Sequence, residues 1–196
     1  MGFVVDPYRR REVWFESSLE ESVAVWLLTR PDTREVREQQ KVAYRCNGRE
    51  RFHYFDYVLT RLSGHRTAYA VKYRNDVDDE LRETLRLVAE QVGDRFADEY
   101  RIITEKDLTC TQIENARDIL SYGSDFDAEG CASVAEALTT LPRYVRLGAL
   151  GSATGLGERG YRAAVSLVQA GALAVPAGVR LGPEAILENR LSGGHR

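Results

Sequence analysis

Three ionisable side chains in the first half of the chain are of the types that support phosphodiester hydrolysis. Glu20, Asp56 and Lys72 occur in that order along the sequence. Carboxylates hold the Mg²⁺ or Mn²⁺ ions that activate water and stabilise a pentavalent phosphate, and a nearby lysine orients the water or offsets charge on the phosphate. An isolated aspartate in an apolar, aromatic strand is costly unless it is paired or binds a metal. The sequence therefore predicts catalytic roles for all three residues, with Glu20 and Asp56 as metal ligands.

The position that would complete this site holds an alanine. Residues i and i+2 of a strand point to the same face, so an acid two positions before Lys72 would converge with it, but Ala70 cannot bind a metal. The acidic start of the following helix offers a substitute, and Glu83, one turn into that helix, is the preferred candidate. Two carboxylates with backbone carbonyls and water are the alternative way to hold a single Mg²⁺. The sequence leaves open whether the site is active.

The elements that must position these residues follow from hydrophobic spacing and turn signals. Ser17 or Ser18 caps a helix that carries Glu20 in its first turn, where a carboxylate suits the helix dipole. Asn47-Gly48 predicts a hairpin turn, so a short meander places Asp56 and Lys72 on adjacent strands. The last strand is reached by a helical crossover, which is an α/β arrangement. The predicted elements are an arm at 1–14, a helix to about residue 30, strands 34–46, 51–60 and 66–73, a helix 75–97 and a strand 100–104.

After about residue 108 the pattern becomes mostly helical. Helices are predicted over 109–121, 129–141 and 157–171, followed by a hairpin of 173–175 and 179–181. Three helices and a hairpin are the pattern of a winged helix-turn-helix. Arg159 and Arg162 would lie on its recognition helix and contact DNA phosphates, although a protein-contact or solvated face is an equal alternative.

Composition and charge limit the classes of protein. The formal net charge of −3 argues against free-standing, high-affinity DNA binding, because phosphate neutralisation needs clustered Lys and Arg. A local basic groove or a partner that supplies DNA affinity stays open. The three separated cysteines exclude a disulfide scaffold and a zinc finger. No apolar run is long enough to span a membrane, so we expect a cytoplasmic protein. We also expect surface positions for His53 and His65, and no phosphate-binding loop among the glycines of 148–157.

An ordered set of motifs also resembles a known family. Residues 13–108 resemble the N-terminal domain of TnsA-like endonuclease subunits of heteromeric transposases, which are PD-(D/E)xK nucleases. The segments that carry the resemblance are FESSLEESVAVWLLTRPDTREVREQQKVAY, HYFDYVLT, AYAVKYR and RIITEKDL. Residues 109–190 resemble the C-terminal half of the same family through Asn115-Ala116, the LVQAGAL segment at 167–173 and Leu181-Gly182-Pro183.

The resemblance carries implications for individual residues. Glu20 matches the helix glutamate of the family, Asp56 its central aspartate and Lys72 its lysine. Ala70 falls where the family has Gln or Glu, and Phe55 stands in place of the proline before the aspartate. The implied fold is a restriction-endonuclease-like core in residues 1–108, followed by a small, mostly helical, winged-helix-like domain in residues 109–196.

The expected function is a Mg²⁺- or Mn²⁺-dependent DNA endonuclease subunit that hydrolyses phosphodiester bonds at the ends of a DNA element. The family resemblance implies a partner transposase or regulator protein, and no cofactor besides the metal is expected. Two alternatives stay open. One is a catalytically impaired nuclease-fold protein that serves as a DNA- or protein-binding subunit. The other is a stand-alone phage-defence or restriction nuclease.

Overall fold

The structure is a computed structural model that describes residues 1–193. The chain divides into two compact units. We call residues 1–28 and 32–109 the N-terminal unit, and residues 29–31 and 110–196 the C-terminal unit. Both helices and strands occur in each unit, and within residues 1–193 no helix is long and apolar enough to cross a membrane.

The N-terminal unit is built around a mixed sheet of four strands. Strands β3, β4 and β5 are antiparallel neighbours, and β6 joins β5 in parallel after the crossover helix α2. The predicted meander and helical crossover are therefore confirmed. The leading arm is a separate hairpin of β1 and β2. The elements are β1 (Gly2–Asp6), β2 (Arg11–Phe15), α1 (Ser18–Thr29), β3 (Thr33–Cys46), β4 (Arg49–Arg61), β5 (Arg66–Val71), α2 (Asp79–Gln91) and β6 (Glu99–Ile103).

Strands β3 and β4 form a hairpin that is much longer than β5. Asn47 and Gly48 have φ angles of 51° and 76°, and two positive φ angles make the two-residue turn that matches the twist of the flanking strands. The predicted Asn-Gly turn is thus confirmed. Only residues 57–60 of β4 pair with β5. Residues 40–55 therefore form a two-stranded extension, which we call the arm.

Helix α2 covers one face of the sheet. It is shorter than the predicted helix because Asp78 caps its start, accepting a hydrogen bond from the Leu81 amide at 2.8 Å, and because a 3₁₀ turn follows at Gly93–Arg95. Sheet residues on this face share one apolar cluster with α2. The cluster comprises Val42, Tyr44, Phe55, Val58, Ala68, Ala70, Leu85, Val88 and Ala97.

The β3–β4 hairpin changes face at Gln39 and Asp56. Phe55 and Val58 both belong to the α2 cluster, although strict alternation would put residues three apart on opposite faces. The ladder between β3 and β4 skips the facing residues Gln39 and Asp56, and Gln39 has a φ of 50°. A left-handed non-glycine residue costs about 1–2 kcal/mol, so the rest of the sheet must hold this irregularity in place.

The C-terminal unit combines four helices with a small antiparallel sheet of order β7-β9-β8. Helix α6 is its central element, since residues 163–168 are all buried. The elements are α3 (Cys110–Gly123), α4 (Ala128–Thr140), β7 (Tyr144–Arg146), α5 (Ala149–Ala153), α6 (Glu158–Gln169), β8 (Leu173–Ala174) and β9 (Ile186–Asn189).

The predicted hairpin of residues 173–175 and 179–181 is wrong. Strand β8 pairs with β9 instead, and the segment around residue 180 is bound to helix α3. The Asn115 side chain donates to the Val179 carbonyl at 2.8 Å and accepts from the Leu181 amide at 2.8 Å. One side chain on α3 therefore satisfies the backbone groups that a strand partner would have used.

Two of the glycines between 148 and 157, Gly148 and Gly151, are packing residues, whereas Gly155 and Gly157 have positive φ angles. A Cβ on Gly151 would overlap the Gly157 carbonyl oxygen and lie 2.9 Å from its carbon, and the Gly151 carbonyl accepts the Gly157 amide at 2.9 Å. The loop before α6 therefore contacts α5 backbone to backbone.

We expect Gly151→Ala to lower the free energy of unfolding by about 1–3 kcal/mol, because the added methyl group forces this backbone contact apart. Urea unfolding followed by circular dichroism measures the change. Ser152→Ala, at the exposed next position of the same helix, is the matched control and should be near neutral. Equal stability of the two variants would contradict the packing role.

Candidate functional site

Asp56 lies where β4 separates from β5. The pairing of the two strands ends at Tyr57 and Tyr69, and beyond it the Asp56 Oδ2 accepts the Val71 amide at 2.7 Å. The carboxylate thus replaces a main-chain acceptor at the end of the ladder. Its Oδ1 accepts a hydrogen bond from Gln39 Nε2 at 3.4 Å. These contacts explain how an aspartate is accommodated in an apolar strand.

Glu20 has a structural role at the start of α1. The Ser17 hydroxyl accepts the Glu20 amide at 3.1 Å and donates to Glu20 Oε1 at 3.0 Å. Glu20 Oε2 accepts the Glu16 amide at 2.9 Å. This reciprocal arrangement satisfies amides that the first helical turn leaves unpaired. Each carboxylate oxygen retains a second lone pair, so the cap leaves Glu20 able to bind a cation.

The structure places both Glu20 and Lys72 within electrostatic reach of Asp56. Burial raises the pKa of Asp56, the Val71 amide opposes this rise, the Glu20 charge raises the pKa further and Lys72 lowers it. Burial and the Glu20 and Asp56 carboxylates also raise the pKa of the Tyr57 hydroxyl. The Lys72 side chain is exposed, while its amide donates to the Ile103 carbonyl at 3.1 Å. The site thus has two neighbouring carboxylates and one exposed cation.

Ala70 and Glu83 lie away from this group. Ala70 is 2% exposed and belongs to the α2 cluster. Glu83 is on the surface of α2, where it pairs with Arg86 at 2.6 Å; that hydrogen bond is the main cause of its lowered pKa. The structure therefore does not bring Glu83 to Asp56. Across residues 1–193, no group of three His, Cys, Asp or Glu side chains is arranged to hold a metal ion.

The prediction of a surface hairpin position for His53 holds only in part, since His53 lies in the β3–β4 hairpin. His53 is only partly exposed, and its ring meets the Phe55 ring edge-on at a centroid distance of 4.6 Å. Its Nε2 is buried without a hydrogen-bond partner in residues 1–193, and burial followed by the Lys72 charge lowers its pKa. The signal in the sequence was its spacing of two from Phe55, which puts both rings on the α2 face. His65 is exposed, as expected.

Arg159 and Arg162, the candidate DNA-contact residues, are both ion-paired. Arg159 contacts Asp127 at 2.5 Å and Glu129 at 3.2 Å, and the Arg159 hydrogen bond is the main cause that lowers the pKa of Asp127 to about 2. Arg162 contacts Asp125 at 2.8 Å. The acidic segment around the start of α4 therefore neutralises this end of α6, and a DNA phosphate would have to displace these carboxylates.

Asp56→Asn should raise the midpoint of thermal unfolding near neutral pH. A folded-state pKa above the ordinary value of 3.8 means that the folded chain binds the Asp56 proton more tightly than the unfolded chain does. Stability is therefore lost as the pH rises through the folded-state pKa, and asparagine avoids that loss. The gain should shrink as the pH is lowered toward 3.8.

The control for this change is Asp98→Asn. The Arg66 amide is the main cause that lowers the pKa of Asp98, so its carboxylate stabilises the fold above the ordinary pKa and the variant should lose stability at neutral pH. Calorimetric scans at several pH values measure both variants. A neutral-pH midpoint for Asp56→Asn at or below that of the parent chain would show that burial does not disfavour the ionised carboxylate.

Comparison of the chain with protein families and with curated proteins found no match. The function must therefore be argued from the site itself. That site consists of two carboxylates and a lysine around the end of the β4–β5 ladder, with the Gln39 amide beside them.

Proposed function

We propose that the chain is a metal-dependent DNA endonuclease subunit that hydrolyses phosphodiester bonds at the ends of a DNA element together with a partner transposase. The observation that carries the proposal is the Asp56 carboxylate at the strand separation, with Glu20 and Lys72 in its electrostatic environment. The likeness of the motifs to TnsA-like subunits supports the DNA substrate and the partner.

The site suits a hard divalent cation. Asp56 is partly buried beside a like charge, and its pKa is raised, which is the environment that a bound cation reverses. Glu20 and Asp56 would hold Mg²⁺ or Mn²⁺, and the Gln39 amide carries a further oxygen nearby. The metal would supply an activated water and polarise the phosphate. The Lys72 ammonium would orient that water or offset phosphate charge.

The architecture supports the proposed fold at a coarse level. A mixed sheet with a helix that crosses from β5 to the parallel strand β6 is compatible with a restriction-endonuclease-like core in residues 1–108. The helices and small sheet of the C-terminal unit are compatible with a winged-helix-like domain in residues 109–196. The strands differ from those predicted, because β9 replaces residues 179–181.

One set of observations favours a second function, that of a catalytically impaired binding subunit. Ala70 is buried under α2, Glu83 is paired on the surface with Arg86, and Glu20 caps a helix. The same site would also serve a stand-alone defence nuclease, which a neighbouring transposase gene would argue against.

Nicking of supercoiled plasmid with Mg²⁺ or Mn²⁺, with and without a neighbouring transposase, tests the enzymatic proposal. Asp56→Ala should reduce nicking to background, and Lys72→Ala should reduce it on the order of 100-fold. Glu83→Gln is the control and should cut like the parent chain, because Glu83 lies on α2, which covers the opposite face of the sheet.

Glu20→Gln separates the two roles of Glu20. Glutamine preserves the helix cap but removes the negative charge, so we expect an unchanged unfolding midpoint and a loss of Mn²⁺-dependent nicking. Calorimetric titration with Mn²⁺ should show binding to the parent chain and much weaker binding to this variant. No nicking and no Mn²⁺ binding by the parent chain would establish the impaired subunit instead.

A further inference from the structure

The arm exposes an aromatic row on the face that α2 does not cover. Phe52 and Tyr54 are each 51% exposed. The Lys41 Nζ lies 3.8 Å from the Phe52 ring centroid and 5.8 Å from that of Tyr54. Exposure of large aromatic side chains to water is unfavourable. Phe52 and Tyr54 are nevertheless exposed beside the Lys41 ammonium.

The arm is also the basic part of an acidic chain. Residues 40–55 contain four cations, Lys41, Arg45, Arg49 and Arg51, against the single carboxylate of Glu50. The arm therefore has a formal charge of +3, whereas the whole chain has −3. Within the described residues 1–193, no acid lies within ion-pair distance of these four side chains.

Many other arginines of the N-terminal unit are paired with acids. Arg11 contacts Glu38 at 2.6 Å and Arg61 contacts Asp32 at 2.6 Å. These two cations are compensated by acids of the same unit, whereas the cations of the arm have no such partner among residues 1–193.

The aromatic row leads to the candidate site. Alternation along β4 puts residues 52 and 54 on one side, and the interruption of the ladder at Asp56 comes two residues after Tyr54. Immediately beyond Asp56 this face is closed, since Tyr57 and Leu59 are 0% exposed. Asp56 therefore lies at the border between the open and the covered halves of the sheet.

We propose that the open face of the arm binds an unpaired DNA strand next to the candidate site. Bases would stack on Phe52 and Tyr54. Lys41 and Arg45, whose cross-strand partners Tyr54 and Glu50 lie on the same face, would contact phosphates, which is the chemistry of single-strand binding surfaces. A duplex hides its base faces, so the exposed rings favour an unpaired strand. The inference rests on the proposed function only for the identity of the nucleic acid as DNA.

Fluorescence anisotropy with a labelled oligo-thymidine and the full chain, in EDTA, tests binding without cleavage. Phe52→Thr with Tyr54→Thr should weaken binding at least about five-fold, the lower range for losing one stacked base. The matched control is Phe3→Thr with Trp14→Thr, an exposed pair on the β1–β2 hairpin with ring centroids 5.4 Å apart, which should bind like the parent chain.

The salt dependence of binding tests the cations. Lys41→Gln with Arg45→Gln should reduce the slope of log affinity against log salt by about 1.4, because each phosphate contact of a single strand contributes about 0.7. Arg143→Gln with Arg146→Gln removes the same formal charge from residues that are paired with Glu188 and Glu184. This control should leave the slope unchanged.

The outcomes separate binding from catalysis. Asp56→Asn should fail to nick while it binds the oligonucleotide in EDTA no more weakly than the parent chain, because the change removes a negative charge beside the strand. No binding by the parent chain, equal losses in the arm variants and their controls, or tighter binding of duplex DNA or RNA would each overturn the arm proposal. Metal-dependent nicking together with any of those results would support the proposed function and not the arm proposal. Binding of oligo-thymidine without any nicking would support the arm proposal and not the proposed function.

Discussion

The hydrogen bond from the Val71 amide to the Asp56 carboxylate closes the β4–β5 ladder with a side chain in place of a main-chain carbonyl, at 2.7 Å. That substitution lets β4 leave the sheet and continue into the arm with β3 as its only partner. It also holds a carboxylate at the border between a buried and an open sheet face. Gln39, which faces Asp56, has a positive φ angle and belongs to the same irregularity. Backbone strain of this kind clusters at functional sites.

Opposing effects act on the ionisation of Asp56 at the end of the β4–β5 ladder. Burial and the Glu20 charge disfavour the ionised form of Asp56, and only the amide, Lys72 and Gln39 oppose them. An uncharged residue at this position would avoid the cost of burying an ionised carboxylate. The cap contacts of Glu20 fix the position of its carboxylate, which accepts hydrogen bonds from the Glu16 amide and the Ser17 hydroxyl.

The average charge of the chain conceals how its cations are distributed. At the end of α6, Arg159 and Arg162 are held by acids, whereas the arm keeps its cations free of ion pairs within residues 1–193. An acidic total therefore coexists with one strongly basic segment, the arm. Nucleic-acid affinity depends on the local cluster and on its distance from competing carboxylates, since screening removes interactions beyond about 10 Å at moderate salt.

The sequence by itself determined the local features: the Asn47-Gly48 turn, the start of α1, the meander and the crossover to β6. These follow from dihedral preferences and periodicity, which neighbouring residues set. It also identified Glu20, Asp56 and Lys72 as a group, because strand order brings them near one another. Only the tertiary structure decided which sheet face each residue meets. Glu83 was misplaced because α2 covers the face opposite Asp56. His53 is less exposed than expected because its ring packs edge-on against Phe55. Residues 179–181 form no strand because Asn115, distant in sequence, binds their backbone. The exposed face of the arm could not be predicted from the sequence either, because exposure depends on which surfaces the rest of the fold covers.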